Sequence, residues 1–262
     1  MQGMKTFALF CFALLMTGFA LRAQSNEHSL KCNDGNWGNS SRACEIREVT
    51  VPYSSRITVD GGQNGSISVK GSDRSDILVR TRVEGWADTE AAAKAITAQV
   101  IVLTSGGAIK ASGPNSGFGV SYEVFVPRRL DLNLNANNGS LSIANVTGAL
   151  EFHTVNGSVN LKEIGGDVKG DTRNGGVKVV LTGSRFDGSG LDVSTGNGGV
   201  DIKVPTAFSA QFEASTVNGG MRVALPNVVT DKKDRNINVT LGSGGAPIRV
   251  RTTNGGVSVS GV

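Results

Sequence analysis

The sequence predicts an all-β fold, a β-solenoid built from short stacked coils. Three observations carry this expectation. A Thr-x-Asn-Gly-Gly motif recurs at intervals of about 20 residues, the spacing of solenoid repeats. The residues on either side of each copy alternate apolar and polar with period two. The chain also holds 36 glycines against 6 prolines in 262 residues. There is no Gly-X-Y period, and the glycines fall at fixed places between alternating runs, so they mark turns.

The clearest copies begin at Thr154, Thr172, Thr195, Thr216 and Thr252, each followed two residues later by Asn156, Asn174, Asn197, Asn218 and Asn254. Looser copies contain Asn64 and Asn138, and a further one runs through Ser243-Gly244-Gly245. The asparagines at 138, 156, 174, 197 and 218 are separated by 18, 18, 23 and 21 residues. Before the turn the apolar or small positions include Leu150 and Phe152, Val168 and Gly170, Leu191 and Val193. After it come Val159 and Leu161, Val177 and Val179, Val200 and Ile202. Charged and polar residues such as Lys178, Asp201, Arg222 and Arg249 fill the places between, so each strand buries one face and wets the other.

Two architectures accommodate this pattern. Asn-Gly between alternating strands is a hairpin signal, because a type I′ turn needs positive φ at both central residues. A solenoid uses the same step as a corner instead. The solenoid reading is preferred, since a meander has no need of the same Thr, Asn and Gly at every second turn. Stacked coils do, because identical corners align into Thr and Asn ladders with repeated hydrogen bonds.

The N-terminal part is less regular. Ile57-Val59, Ile67-Val69 and Ile77-Val79 read as early strands around the Asn64 corner. Residues 88–100 form the one convincing helix, with Asp88 as its cap and Ala92, Ala95, Ile96 and Gln99 on one face. Strand-like segments resume at Val100-Leu103, Ala108-Ala111 and Val120-Val126, and the regular coils span 127–262. The helix is expected to cover an end or side of the stack.

Residues 1–23 read as a secretory signal peptide. Lys5 supplies the cation, Phe7 to Met16 the apolar run, and Leu21-Arg22-Ala23 the cleavage site, with an uncleaved anchor as the alternative. The segment 24–46 carries the two cysteines that remain after export, Cys32 and Cys44, which are expected to form a disulfide worth about 3 kcal/mol on the chain-entropy model. A solenoid domain then occupies 47–262. The formal charge of +4 falls to +2 without Lys5 and Arg22. No basic run or aromatic platform marks a nucleic-acid site. No later segment has the length to span a bilayer.

The run from Val124-Phe-Val-Pro127 through Leu130-Asp-Leu132, Asn138-Gly-Ser140 and the Thr-x-Asn-Gly-Gly copies resembles a bacterial family of candidate adhesins. It is also similar to the toast-rack repeats of cell-envelope stress proteins. The resemblance covers residues 45 to 262. It implies an exported, right-handed, single-stranded parallel β-helix at the periplasm, cell surface or extracellular space, and brings no catalytic residues with it.

The sequence itself points to no enzyme. Histidine occurs only at 28 and 153, and His153 takes an outward strand position without a Ser or Cys partner. Neither a Gly-x-Ser-x-Gly elbow nor a Walker loop is present. Calcium needs an Asp at a fixed place in each coil, whereas Asp60, Asp73, Asp76, Asp167, Asp171, Asp187 and Asp192 are scattered. No cofactor or metal is therefore expected. The rival readings are a polysaccharide-acting β-helix enzyme, using charges among Lys162, Glu163, Lys169, Asp171, Arg173 and Lys178, and an envelope scaffold that self-associates through its last coil. The preferred reading is a binding, adhesion or structural module for a protein or glycan ligand.

Overall fold

The computed structural model describes residues 30–32, 40–225, 228 and 234–262. The expected signal segment and His28 lie outside them. The chain begins with β1 (Ser41–Val51), β2 (Arg56–Asp60), β3 (Ile67–Ser72) and β4 (Ile77–Ala87), and continues into helix α1 (Glu90–Gln99). Then follow β5 (Ile101–Ser105), β6 (Ala108–Ser112), β7 (Phe118–Pro127), β8 (Asp131–Ala136), β9 (Leu141–Ala144), β10 (Thr147–Asn156) and β11 (Val159–Lys162). The C-terminal part holds β12 (Gly165–Asn174), β13 (Val177–Val180), β14 (Gly190–Asn197), β15 (Val200–Val204), β16 (Ala210–Asn218), β17 (Met221–Ala224), β18 (Asn236–Leu241), β19 (Pro247–Asn254) and β20 (Val257–Gly261).

These strands form two ten-stranded sheets. Each coil places one strand in each sheet, and every coil but β6/β7 turns between them at an Asn-Gly corner. Neighbouring coils pair in parallel and in register: Thr154 lies opposite Thr172, which lies opposite Thr195, and Asn156, Asn174 and Asn197 follow suit. The hairpin alternative is thereby excluded, because a hairpin would pair the strands that flank each Asn-Gly step with each other. The alternating apolar residues point between the sheets, and Val159, Val177, Val200, Leu150, Val168 and Ile248 are buried. Full burial of a Val or Leu side chain is worth about 1.5–3 kcal/mol. Packing between coils is complementary as well as apolar. Gly170 lies opposite Phe152, and a Cβ on Gly170 would stand 2.4 Å from the Phe152 ring, so the glycine makes room for the aromatic ring.

Both sheets are mixed rather than wholly parallel. β4 pairs antiparallel with β7 and β1 with β4, while β5 closes on β6 and β18 on β16 in the same sense. Coil order also departs from chain order at both ends. The spatial sequence is β6/β7, β2/β3, β8/β9, β10/β11, β12/β13, β14/β15, β19/β20, β16/β17. The last coil in the chain, expected to be an open end, is therefore interior, with β14 and β16 on either side of β19. The terminal coil is β16/β17. Its β16 edge is covered by β18, and β17 is the edge of its own sheet among the described residues. The first coil, β2/β3, is interior in the same way, so the regular stack begins well before residue 127.

The helix does pack at the end of the stack, on β1 and β4. Its cap is Thr89 rather than Asp88: the Thr89 hydroxyl accepts from the Ala92 amide. Its buried face is Ala93 and Thr97, one residue round from the expected stripe, and Ala92, Ala95 and Gln99 are exposed. The close approach explains Gly85, where a Cβ would lie 2.6 Å from the Ala93 carbonyl oxygen. From β1, the Arg47 guanidinium donates to the Thr97 and Val100 carbonyls at the C-terminal end of the helix, where the Thr97 carbonyl also accepts from the Val100 amide.

Candidate functional site

The corner column is the most regular surface of the molecule. All seven predicted corner asparagines stand in one file. Asn138 Nδ2 donates to Asn64 Oδ1, Asn156 to Asn138, Asn174 to Asn156, Asn197 to Asn174, Asn254 to Asn197 and Asn218 to Asn254, at 2.8–3.3 Å. Every amide donates in the same sense along the stack. The threonines also align, but their hydroxyls bond corner carbonyls rather than one another. Thr154, Thr172, Thr195, Thr252 and Thr216 donate to the carbonyl oxygens of Gly139, Gly157, Gly175, Gly198 and Gly255.

The two corner glycines have different reasons to exist. The first has no positive φ in any of the seven corners. A Cβ there would instead strike the carbonyl oxygen of the next corner, at 2.0 Å for Gly157 on Gly139 and 2.1 Å for Gly198 on Gly175. The second glycine meets nothing closer than 3.4 Å at Gly176, Gly199 and Gly256. Serine occupies that second position at Ser66, Ser140 and Ser158. Where four coils in succession carry glycine, the missing side chains leave an open trough of about 720 Å³. Gly176, Gly199, Gly256 and Gly220 form its floor. Asn160, Lys178, Asp201, Ser258 and Arg222, paired in register, form one wall. Ser158 closes one end. Sequence reasoning placed the asparagines and missed the trough; its signal was the change from Gly-Ser to Gly-Gly after Ser158.

A family model described as Toastrack DUF4097 matches residues 19–260. The chain belongs to the Toastrack DUF4097 family. No curated protein matches it. Among solved structures, this Toastrack chain is similar to a candidate cell adhesion protein from Clostridium sporogenes, at 11% identity and a TM-score of 0.49, over 85% of this chain and 100% of that one. It is also similar to a candidate adhesin from Bacteroides fragilis, at 12% identity and a TM-score of 0.36, over 85% and 98% of the two chains. A third, a candidate lipid binding protein from Parabacteroides distasonis, has 11% identity and a TM-score of 0.28, over 84% and 96%.

The other candidate residues of this Toastrack chain are spread over the molecule. Cys32 and Cys44 are bonded, with Cα atoms 5.7 Å apart. The six charges considered for catalysis do not converge. Lys162 and Lys178 project from β11 and β13 in one sheet, and Lys169, Asp171 and Arg173 from β12 in the other. Glu163, at a corner with φ 53°, pairs with Lys162. On the second sheet Glu151, Lys169, Asp192, Arg249 and Glu213 lie in register as a row of alternating sign. Arg251 bonds Asp192 at 2.5 Å and Arg249 bonds Glu213 at 3.3 Å. Asp167, beside Lys169, holds that ammonium above the ordinary lysine pKa. His153 is not solitary: its Nδ1 lies 3.0 Å from Asp171 Oδ2, with both side chains about half exposed. Among the described residues no group of three or more His, Cys, Asp or Glu is placed to hold a metal. No described helix is long and apolar enough to cross a membrane.

Proposed function

We propose that this protein is an exported, non-catalytic binding or adhesion module of the cell envelope or extracellular space, with its coils wound as a single-stranded right-handed β-helix. The observation that carries the proposal is the trough over Gly176, Gly199, Gly256 and Gly220. Its floor repeats at the strand spacing of about 4.8 Å, so four coils give roughly 14 Å of straight groove. A groove of constant section along a solenoid fits an extended polymer, a polypeptide strand or a glycan chain. The wall offers Lys178, Asp201 and Arg222 in one row, groups suited to orienting such a chain. The Cys32–Cys44 disulfide supports an oxidising compartment.

Filling the trough tests the reading. Gly199→Leu adds a side chain where the nearest obstacle to its Cβ is 3.4 Å away, so the fold should survive with an unchanged Tm. Purified protein is assayed on peptide and glycan arrays and on whole bacterial cells. Binding by the wild type that vanishes in the filled variant supports the proposal, and equal binding by both overturns it.

A further inference from the structure

At the β7 end of the stack the asparagine file stops at Asn64. Counting back from the Ile67–Tyr122 pair sets Gly119 opposite Asn64, where another corner asparagine would otherwise stand. A Cβ on Gly119 would lie 2.4 Å from the Asn64 carbonyl oxygen, so that place is held by bare backbone. Asn64 Oδ1 is taken by Asn138, but Asn64 Nδ2 donates to nothing among the described residues. The file therefore ends in a free amide donor, polarised by a chain of amides aligned behind it.

Asn64 lines a cavity of about 520 Å³ between the β2–β3 and β6–β7 connections. Trp86, Phe118 and Tyr122 supply aromatic walls, and Asp60 and Asn115 supply polar ones. Asp60 Oδ1 accepts from the Gly62 amide at 2.8 Å, which fixes the carboxylate. The Tyr122 hydroxyl is buried and makes no hydrogen bond of good geometry. A second, shallower hollow of about 420 Å³ shares Asn64 and Trp86, so the two open around one tryptophan.

We propose that this cavity binds an N-acetylated hexosamine, its acetamido carbonyl accepting from Asn64 Nδ2 and its ring face lying against Trp86. The free end of the file is a donor, so it selects a carbonyl oxygen in the place of the missing rung. The aromatic walls suit the flat, weakly polar face of a pyranose. Asp60 is an acceptor for a ring hydroxyl and is the one charge in the lining. No lysine or arginine lines this cavity; Arg42 and Arg82 line the adjoining hollow.

The test is calorimetric titration of the full mature protein with N,N′-diacetylchitobiose and with cellobiose, a matched disaccharide without acetamido groups. The acetylated sugar is expected to bind at least about tenfold more tightly. Asn64→Asp keeps an oxygen for Asn138 and removes the donor, and should weaken that binding about tenfold or more. Trp86→Ala should weaken it comparably, while Gly199→Leu in the distant trough should leave it unchanged. Failure of the acetylated sugar to bind at about 10 mM overturns the proposal, as does equal affinity for the two sugars. Undiminished binding by Asn64→Asp or by Trp86→Ala also overturns it.

Discussion

The Thr154 hydroxyl donates to the Gly139 carbonyl of the neighbouring coil at 2.9 Å, and among the described residues no backbone amide competes for that oxygen. The corner turns its first glycine carbonyl out of the sheet ladder, and in five of the seven corners a threonine of the neighbouring coil satisfies it. Thr154→Val keeps the shape and leaves a buried carbonyl unpaired, at a cost of about 1–3 kcal/mol. Thr154→Ser retains the donor and should recover most of the loss. Urea unfolding of the three proteins measures both.

Two of the seven corners lack this device among the described residues, those of Gly65 and Gly219. Ala136 occupies the threonine position opposite Thr154, and no threonine hydroxyl reaches the Gly65 carbonyl. Ala136→Ser supplies a hydroxyl there without a further methyl. We expect a gain of about 0.5–1 kcal/mol, read as a rise in Tm of a few degrees. An unchanged or lower Tm would show that the corner at Gly65 is satisfied by other means.

The paired glycines should respond oppositely to substitution. Gly157→Ala drives a Cβ to 2.0 Å from the Gly139 carbonyl oxygen, and backbone on both sides must move. The expected loss exceeds about 3 kcal/mol, beyond the usual range for a surface change. Gly176→Ser reproduces what Ser158 already does one coil away and should fall within about 0.5 kcal/mol of wild type. Circular dichroism melting curves separate the two directly.

These contrasts show which features the sequence carried. Coil existence was legible because Thr, Asn and Gly recur with local strand alternation, and all seven named asparagines fall in one file. Coil order was not legible. Coils that present the same Thr, Asn and Gly to either neighbour fit together in any order, so nothing local distinguishes β19/β20 as interior. Asp88 and Thr89 are both able to cap a helix, and only packing on Gly85 selects the register that buries Ala93 and Thr97. The two strands of a coil face opposite sides of the stack, so charges near in sequence, such as Lys162 and Lys169, end on different sheets. Trp86 belongs to no repeat, and periodicity gave no reason to single it out.

The interior position of the last coil has a measurable consequence. Asn254 bonds both Asn197 and Asn218, whereas Asn218 donates to Asn254 at the end of the file. Asn254→Ala therefore breaks two amide bonds and Asn218→Ala one, so the former should cost about twice as much, on the order of 2 against 1 kcal/mol. A stack in chain order reverses that ranking. Hydrogen exchange adds a second reading: removal of residues 247–262 should unprotect β16 and β18 as well, since β16 rests on β19.

Tyr122 makes stability depend on alkaline pH. Burial pushes its phenol well above the ordinary tyrosine pKa, and the negative charge of Asp60 acts in the same direction. The folded state holds the neutral form, so its advantage is intact below about pH 10, where the unfolded phenol begins to ionise. Above that pH the unfolded state gains by losing a proton that the folded state retains, and stability falls as pH rises. Tyr122→Phe removes this dependence and also removes a buried hydroxyl without a well-formed hydrogen bond. The variant should match or exceed wild-type stability at pH 7, and its advantage should widen between pH 10 and 11. Tm measured across that range decides it; a constant gap between the two proteins would mean that the phenol ionises as readily in the folded chain as in the unfolded one.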